Sequence, residues 1–189
     1  MLFLLYLSFA GAHQTNTGPG TNPNSISVST VWSWPPGSWA ENIAVRGNGK
    51  LLVTRLDVPE LWQVDPTSSN ATLVHTFTPH LGLLGITEVT SDVFAIVVGN
   101  VSLQSPGSAA GTYGVVTIDL DGYPNSTPKV LSDIVILEAH LLNGLTTLSP
   151  SKGLVLIGDS SRGIVYSVDV HGEITLLSCR IILWPQPPT

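Results

Sequence analysis

From Ile26 onward the apolar positions of the chain fall in short runs of Val, Ile, Leu and Thr, each closed by Gly, Pro, Asn or Asp. No helical period of about 3.6 residues is sustained anywhere along it. This pattern predicts strands joined by turns, with helix a minor component. The runs also repeat. Glu41–Thr54 continuing to Glu60–Asp65, Gly85–Val98 continuing to Thr112–Asp119, and Asn143–Ile157 continuing to Gly163–Asp169 can be laid over one another. Each reads as strand, polar turn, apolar strand, loop, and an aromatic-containing strand ending in Asp. A fourth strand follows each, at Thr72–Phe77, Pro128–Asp133 and Glu173–Leu177.

Four antiparallel strands per repeat is the blade of a β-propeller. The expected fold is therefore all-β, with blades over about 41–78, 85–134 and 143–177 within residues 26–178. Closed rings use roughly 4–8 blades, so the chain is expected to hold about three of an expected six. Residues 179–189 continue no blade, which suggests a truncated ring or an altered gene product.

The ends of the chain add a second layer of expectation. Residues 1–12 form an apolar run closing on Ala10-Gly11-Ala12, the pattern of a secretory signal peptide. The protein is accordingly expected to be secreted, with residues 13–25 as a flexible lead-in. The apolar run is too short to span a bilayer, which takes about 20 residues, so no stable membrane anchor is expected. The acceptor triplets beginning at Asn70, Asn100 and Asn125 would suit glycosylation in that setting.

Charge narrows the partners. Seven Lys and Arg stand against thirteen Asp and Glu, a formal net charge of -6, so nothing attracts a phosphate backbone and nucleic acid is excluded. Charged residues make up only 11% of the chain, against about 25% in an ordinary soluble domain. Cys179 is the single cysteine and leaves no intrachain disulfide. An incomplete ring with uncovered sheet faces is expected to self-associate.

Ala40–Arg46, the Asn143-Gly144-Leu145 opening and the strand-loop-strand Leu154–Tyr166 together resemble the gluconolactonase and senescence-marker-protein propellers, secreted fungal members most of all. The resemblance covers about residues 30–175. It implies a divalent cation, often calcium, on the central axis, with Glu41 and Asn143 matching two of the ligands. Hard oxygen donors suit such a cation. Asn42, His140 and Asp159 are candidate pocket residues beside them. No Asp matching the family's catalytic carboxylate follows Asn143, so the cation site is incomplete in this chain and no catalytic residue is assigned.

The implied activity is metal-assisted hydrolysis of a lactone or ester, with a small molecule as substrate. The alternative is a metal-free cyclase of secondary metabolism, since some fungal proteins of this type look like hetero-Diels–Alderases. A third reading is an inactive binding fragment.

Overall fold

The computed structural model describes residues 28–101 and 109–171, and the backbone of 174–177. The signal-peptide, lead-in and tail expectations, on residues 1–12, 13–25 and 179–189, lie outside the described residues.

Twelve strands and one single-turn 3-10 helix make up the described secondary structure, so the all-β expectation holds. The first sheet contains β1 (Ala40–Val45), β2 (Leu51–Arg55), β3 (Glu60–Asp65) and β4 (Asn70–Thr76). The second contains β5 (Gly82–Thr90), β6 (Val93–Gly99), β7 (Gly114–Asp119) and β8 (Lys129–Val135). The third contains β9 (Leu142–Ser149), β10 (Leu154–Asp159), β11 (Ile164–Asp169) and β12 (Ile174–Leu177). In every sheet the strands pair antiparallel in chain order, as an up-and-down meander.

Strand composition follows from the place of each sheet in the stack. The second sheet is buried on both faces, and β6 is accordingly the continuous apolar run Val93-Phe-Ala-Ile-Val-Val-Gly99 with no polar alternation. Phe94, Ile96, Val98, Val116 and Ile118 pack against Leu52, Leu61 and Val74 of the first sheet. On the opposite face Ala95, Val97 and Val115 pack against Leu142, Val155, Ile157, Tyr166 and Val168 of the third. The outer sheets bury one face, and β10 alternates strictly, with Val155, Ile157 and Asp159 inward. Burial of this apolar surface, at about 25 cal/mol per Å², is the main force holding the three sheets together.

The turns carry the residues their backbone demands. Between β9 and β10 the Pro150–Lys152 turn ends on Gly153 at φ 65°, whose N–H returns to the Pro150 carbonyl. Only glycine adopts that left-handed conformation without strain. The tight β5–β6 connection places Asp92 at φ 56°, a region that Asn and Asp tolerate better than most side chains.

An ion pair with a buried arginine and a partly exposed aspartate joins the first two sheets. Arg46, which closes β1, is 2% exposed, and its guanidinium donates to both carboxylate oxygens of Asp92 at 3.0 and 2.9 Å. It also donates to the Gln63 side chain at 2.6 Å and the Leu120 carbonyl at 3.0 Å. Tyr123 lies against the same cation, 5.8 Å from ring centre to guanidinium carbon. Every donor direction of a planar fork buried this deeply has a use.

Candidate functional site

β1, β5 and β9 are the first strands of their sheets, and they pack side by side with β5 in the middle. Each carries a bulge at an equivalent place. In β1 Ala40 pairs with Arg55 and Asn42 with Thr54, which leaves Glu41 extra. In β5 Leu83 pairs with Val98 and Ile86 with Ile96, so Leu84 and Gly85 together oppose Val97. In β9 Leu142 pairs with Asp159 and Leu145 with Ile157, so Asn143 and Gly144 oppose Gly158. Bulges of this kind kink a strand and re-aim its side chains, which is why they collect at the rims of sites.

The three bulges are knit into one rim. Thr54, fully buried, donates its hydroxyl to the Leu84 carbonyl at 2.6 Å and lies 3.4 Å from the Asn42 carbonyl. Gly85 has no side chain for a reason of space, since a Cβ there would collide with the Asn143 carbonyl and crowd Leu145. Gly82 stands in the same relation to the carbonyl of Leu56, in the turn that follows β2. The central strand can therefore approach both neighbours only because it is glycine at the two contact points.

Of the candidates read from the sequence, Glu41, Asn42 and Asn143 lie on this rim, with Leu84–Gly85 between the two asparagines. Glu41 is half-buried, and burial pushes its carboxyl above the usual carboxylate range, while a hydrogen bond with the Trp39 side chain pulls the other way. The Asn42 side-chain oxygen accepts from the Ile43 amide at 2.8 Å, which leaves its amide hydrogens turned away from that bond. Asn143 is half-buried.

His140 is exposed, and its backbone N–H donates to Asp159 at 2.8 Å. Asp159 is buried and accepts four backbone amides, those of His140, Leu141, Ser161 and Arg162, at 2.8 to 3.2 Å. Its carboxylate ties the segment leading into β9 to the β10–β11 turn. Asp57 performs a similar task for β1 by accepting the Trp39 amide at 3.0 Å. Sequence reasoning missed Thr54, Leu84 and Gly85, although Gly85 precedes Ile86 as Asn42 precedes Ile43 and Gly144 precedes Leu145 in the repeat.

The glycosylation acceptors Asn70 and Asn125 are exposed, at the start of β4 and in the β7–β8 connection. Asn100 is half-buried and its backbone N–H donates to the Thr112 hydroxyl; Ser102 of its triplet lies outside the described residues. A cavity of about 130 Å³ opens at the opposite end of the first sheet from the bulges, lined by Lys50, Gln63, Asp65, Thr72, Tyr123 and Pro124. Among the described residues no three His, Cys, Asp or Glu side chains are grouped as a metal site would group them.

A stack of four-stranded meander sheets whose first strands bulge together defines the chain as a repeat-built β protein with a rim of polar and glycine positions. No family model matches it. A protein of Phoma sp named "Putative hetero-Diels-Alderase" is 32% identical over 169 residues, which cover 84% of this chain and 47% of that protein. A protein of Sarocladium schorii named "Putative hetero-Diels-Alderase asR5" is 28% identical over 145 residues, 72% of this chain and 35% of that protein. The chain thus spans less than half the length of the curated relatives it matches.

These relatives correct the gluconolactonase and senescence-marker-protein assignment, and with it the hydrolase reading that rested on it, and their names agree with the alternative of a cyclase. The cause is visible in the fold. Ala40–Arg46, Asn143–Leu145 and Leu154–Tyr166 are the inner strands, bulges and hairpin of the repeated sheet. Such segments build the repeated four-stranded sheet whatever chemistry the protein performs, so they carry architecture rather than function.

Proposed function

We propose that the chain forms successive blades of a β-propeller and serves a cyclase of the hetero-Diels–Alder type, with the substrate held over the bulged rim of β1, β5 and β9. The observation that carries this reading is the likeness to the Phoma protein across 84% of the chain. The meander sheets, with their first strands innermost and adjacent, support the propeller part of it.

A hetero-Diels–Alder reaction joins a conjugated diene to a two-atom partner containing a heteroatom. Three π bonds become two σ bonds and one π bond in a single cyclic shift, with no leaving group and no proton transferred. The protein's task is then to hold two reacting faces together in near-attack geometry. Donors aimed at the heteroatom, where negative charge builds up, add to the rate. The side-chain amides of Asn42 and Asn143 are the donors we assign to that role, and Glu41, with its raised pKa, supplies a neutral acid beside them as the pH falls. Nothing in this chemistry calls for a cation.

The test is a panel of conjugated dienes with carbonyl partners, followed by chiral chromatography. Product formed faster than background, with one enantiomer in excess and with no effect of chelator, is expected. Asn42→Ala and Asn143→Ala should each slow it about tenfold, the loss of one hydrogen bond to developing charge. Racemic product at the background rate from cooperatively folded protein overturns the reading. Tight binding of the diene without turnover would mark a binding module instead.

A further inference from the structure

We propose that the cavity between the first sheet and the β7–β8 connection binds the vicinal-diol edge of a neutral polyol, such as one side of a sugar ring. It lies at the far end of the first sheet from the bulged rim, so the inference stands independently of the cyclase reading.

The walls come from inside the stack. Leu52, Gln63 and Thr72 form one row across the first sheet, and Asp65 and Asn70 continue the same face two residues further along. That face is turned toward the second sheet. Leu52 is fully buried against it, and Gln63 bonds to Arg46, whose guanidinium reaches Asp92 and the Leu120 carbonyl. Tyr123 and Pro124 of the β7–β8 connection line the opposite side. Both walls therefore belong to one interface between neighbouring sheets, and neither is the outer face of the first or the third sheet.

Gln63 carries the argument. It is 5% exposed, and its side chain accepts from Arg46 at 2.6 Å. A guanidinium has hydrogens to give and no lone pair, so the atom that faces it is the amide oxygen and the NH₂ group points away. Those two hydrogens have no acceptor among the described residues, and the nitrogen remains open to the cavity that Gln63 lines. A donor held this deep is costly unless something accepts from it, so a ligand oxygen placed there meets a need that the protein leaves unmet.

The charges around that donor cancel. Lys50 Nζ lies 3.6 Å from Asp65 Oδ2, and the buried Arg46 is matched by Asp92. Asp65 Oδ1 accepts the amides of Thr67 and Ser68 at 2.9 and 3.3 Å, which fixes the carboxylate in place. An ion of either sign would meet a repelling group beside its partner, so charge is not what the cavity selects. What it offers is a mixed set: the Gln63 amide, the outer hydrogens of Lys50, the outer lone pairs of Asp65, and the Thr72 hydroxyl, which has no partner among the described residues. Hydroxyl groups both give and accept, so two adjacent ones can lie on a carboxylate and an amide together. The Tyr123 ring, 5.8 Å from the Arg46 guanidinium carbon to its centre, and Pro124 supply an apolar wall for the carbon skeleton. The volume of about 130 Å³ sets the size. An apolar cavity of about 150 Å³ takes up benzene, so about six non-hydrogen atoms fit here, which is two hydroxyls with their carbons and part of a ring.

The experiment is a titration followed by ¹H–¹⁵N correlation spectra, with cis-cyclohexane-1,2-diol, glycerol and methyl glucoside as probes. The chain is made in a bacterial host, so that Asn70, which also lines the cavity, carries no glycan. Saturable shifts of the Gln63 side-chain amide pair and of the Thr72 backbone amide are expected, with a dissociation constant on the order of 1 mM for the cyclohexanediol. Cyclohexanol, with its single hydroxyl, should bind about tenfold more weakly, and acetate and glycine should not compete. Gln63→Glu keeps an acceptor for Arg46 and removes both donors, whereas Thr72→Val removes only the hydroxyl. Each should weaken diol binding about tenfold. Thermal melting checks that both variants fold, and Thr72→Val, at an exposed position, carries the test if Gln63→Glu does not melt cooperatively. Shifts that never saturate overturn the inference, as do cyclohexanol binding as tightly as the diol, displacement by acetate or glycine, or undiminished diol binding by Thr72→Val.

Discussion

Gly85 in β5 and the carbonyl of Asn143 in β9 are in such close approach that no side chain larger than hydrogen fits between them. The contact joins the middle sheet to the third through their bulges. Gly85→Ala should therefore force β5 and β9 apart rather than merely fill space. Overpacking at a rigid backbone contact costs typically about 1–3 kcal/mol. Urea denaturation should show a lower midpoint with an unchanged slope. Gly144→Ala, at a bulge position where an added Cβ would meet nothing within 4 Å, serves as the control and should cost far less.

The Arg46–Asp92 pair gives a second prediction. Asp92→Asn keeps a residue that tolerates φ 56° and retains one acceptor oxygen, so the change isolates the charge. Arg46 would then be a buried cation without its counter-ion. A loss of about 2–4 kcal/mol is expected on unfolding. If the loss is within 0.5 kcal/mol, roughly the scale of a neutral surface substitution, the guanidinium is being satisfied by Gln63 and the carbonyls alone.

How much of this was legible beforehand depended on which physical signal each feature leaves in the chain. The sheets were legible because alternation and turn residues recur, and Ile43, Ile86 and Leu145 align by type in the sequence. Their equal places in register agree with that alignment. The bulges were not legible, because an extra residue in a strand has no composition of its own and shows only against its partner strand. Thr54 looked like a strand threonine, and its buried bond to Leu84 crosses between sheets that no local pattern relates. Of the functional readings, the cyclase alternative agrees with the relatives' names while the leading one, lactone hydrolysis, does not, for a related reason: the residues that suggested hydrolysis are the ones that build the repeated four-stranded sheet.

Two titrating groups act in opposite directions on stability. Burial lowers the pKa of His75 below 6.5, so the neutral ring is favoured in the fold. Its contribution is present above the unfolded value near 6.5 and is lost as pH falls through the lower folded value. Glu41 is the reverse, since its pKa is raised above 4.5 and its contribution is present below the unfolded value and lost as pH rises through the folded one. His75→Gln should flatten the fall in melting temperature below pH 6.5. Glu41→Gln should be more stable than the native chain at pH 7, with the difference closing under acid. A native melting temperature that rises on acidification from pH 7 to 6 in a His75-dependent way would contradict the assignment.

Asp159 offers the sharpest separation of a structural carboxylate from a functional one. Its Oδ1 accepts the amides of Leu141, Ser161 and Arg162, and its Oδ2 accepts that of His140. Asp159→Asn, with its oxygen in the Oδ1 position, preserves three of these and sets an amide N–H₂ against the His140 donor. Asp159→Ala removes all four acceptors and leaves the amides facing a dry pocket. Each unsatisfied buried donor costs about 1–3 kcal/mol, so alanine should cost well over twice as much as asparagine. Hydrogen exchange should quicken at His140 alone in the first variant and at all four amides in the second. Cycloaddition by Asp159→Asn, assayed below its melting range, should match the native rate, since the carboxylate faces the turn and not the rim. A rate loss in that variant without a matching loss of amide protection would place Asp159 among the residues that touch substrate.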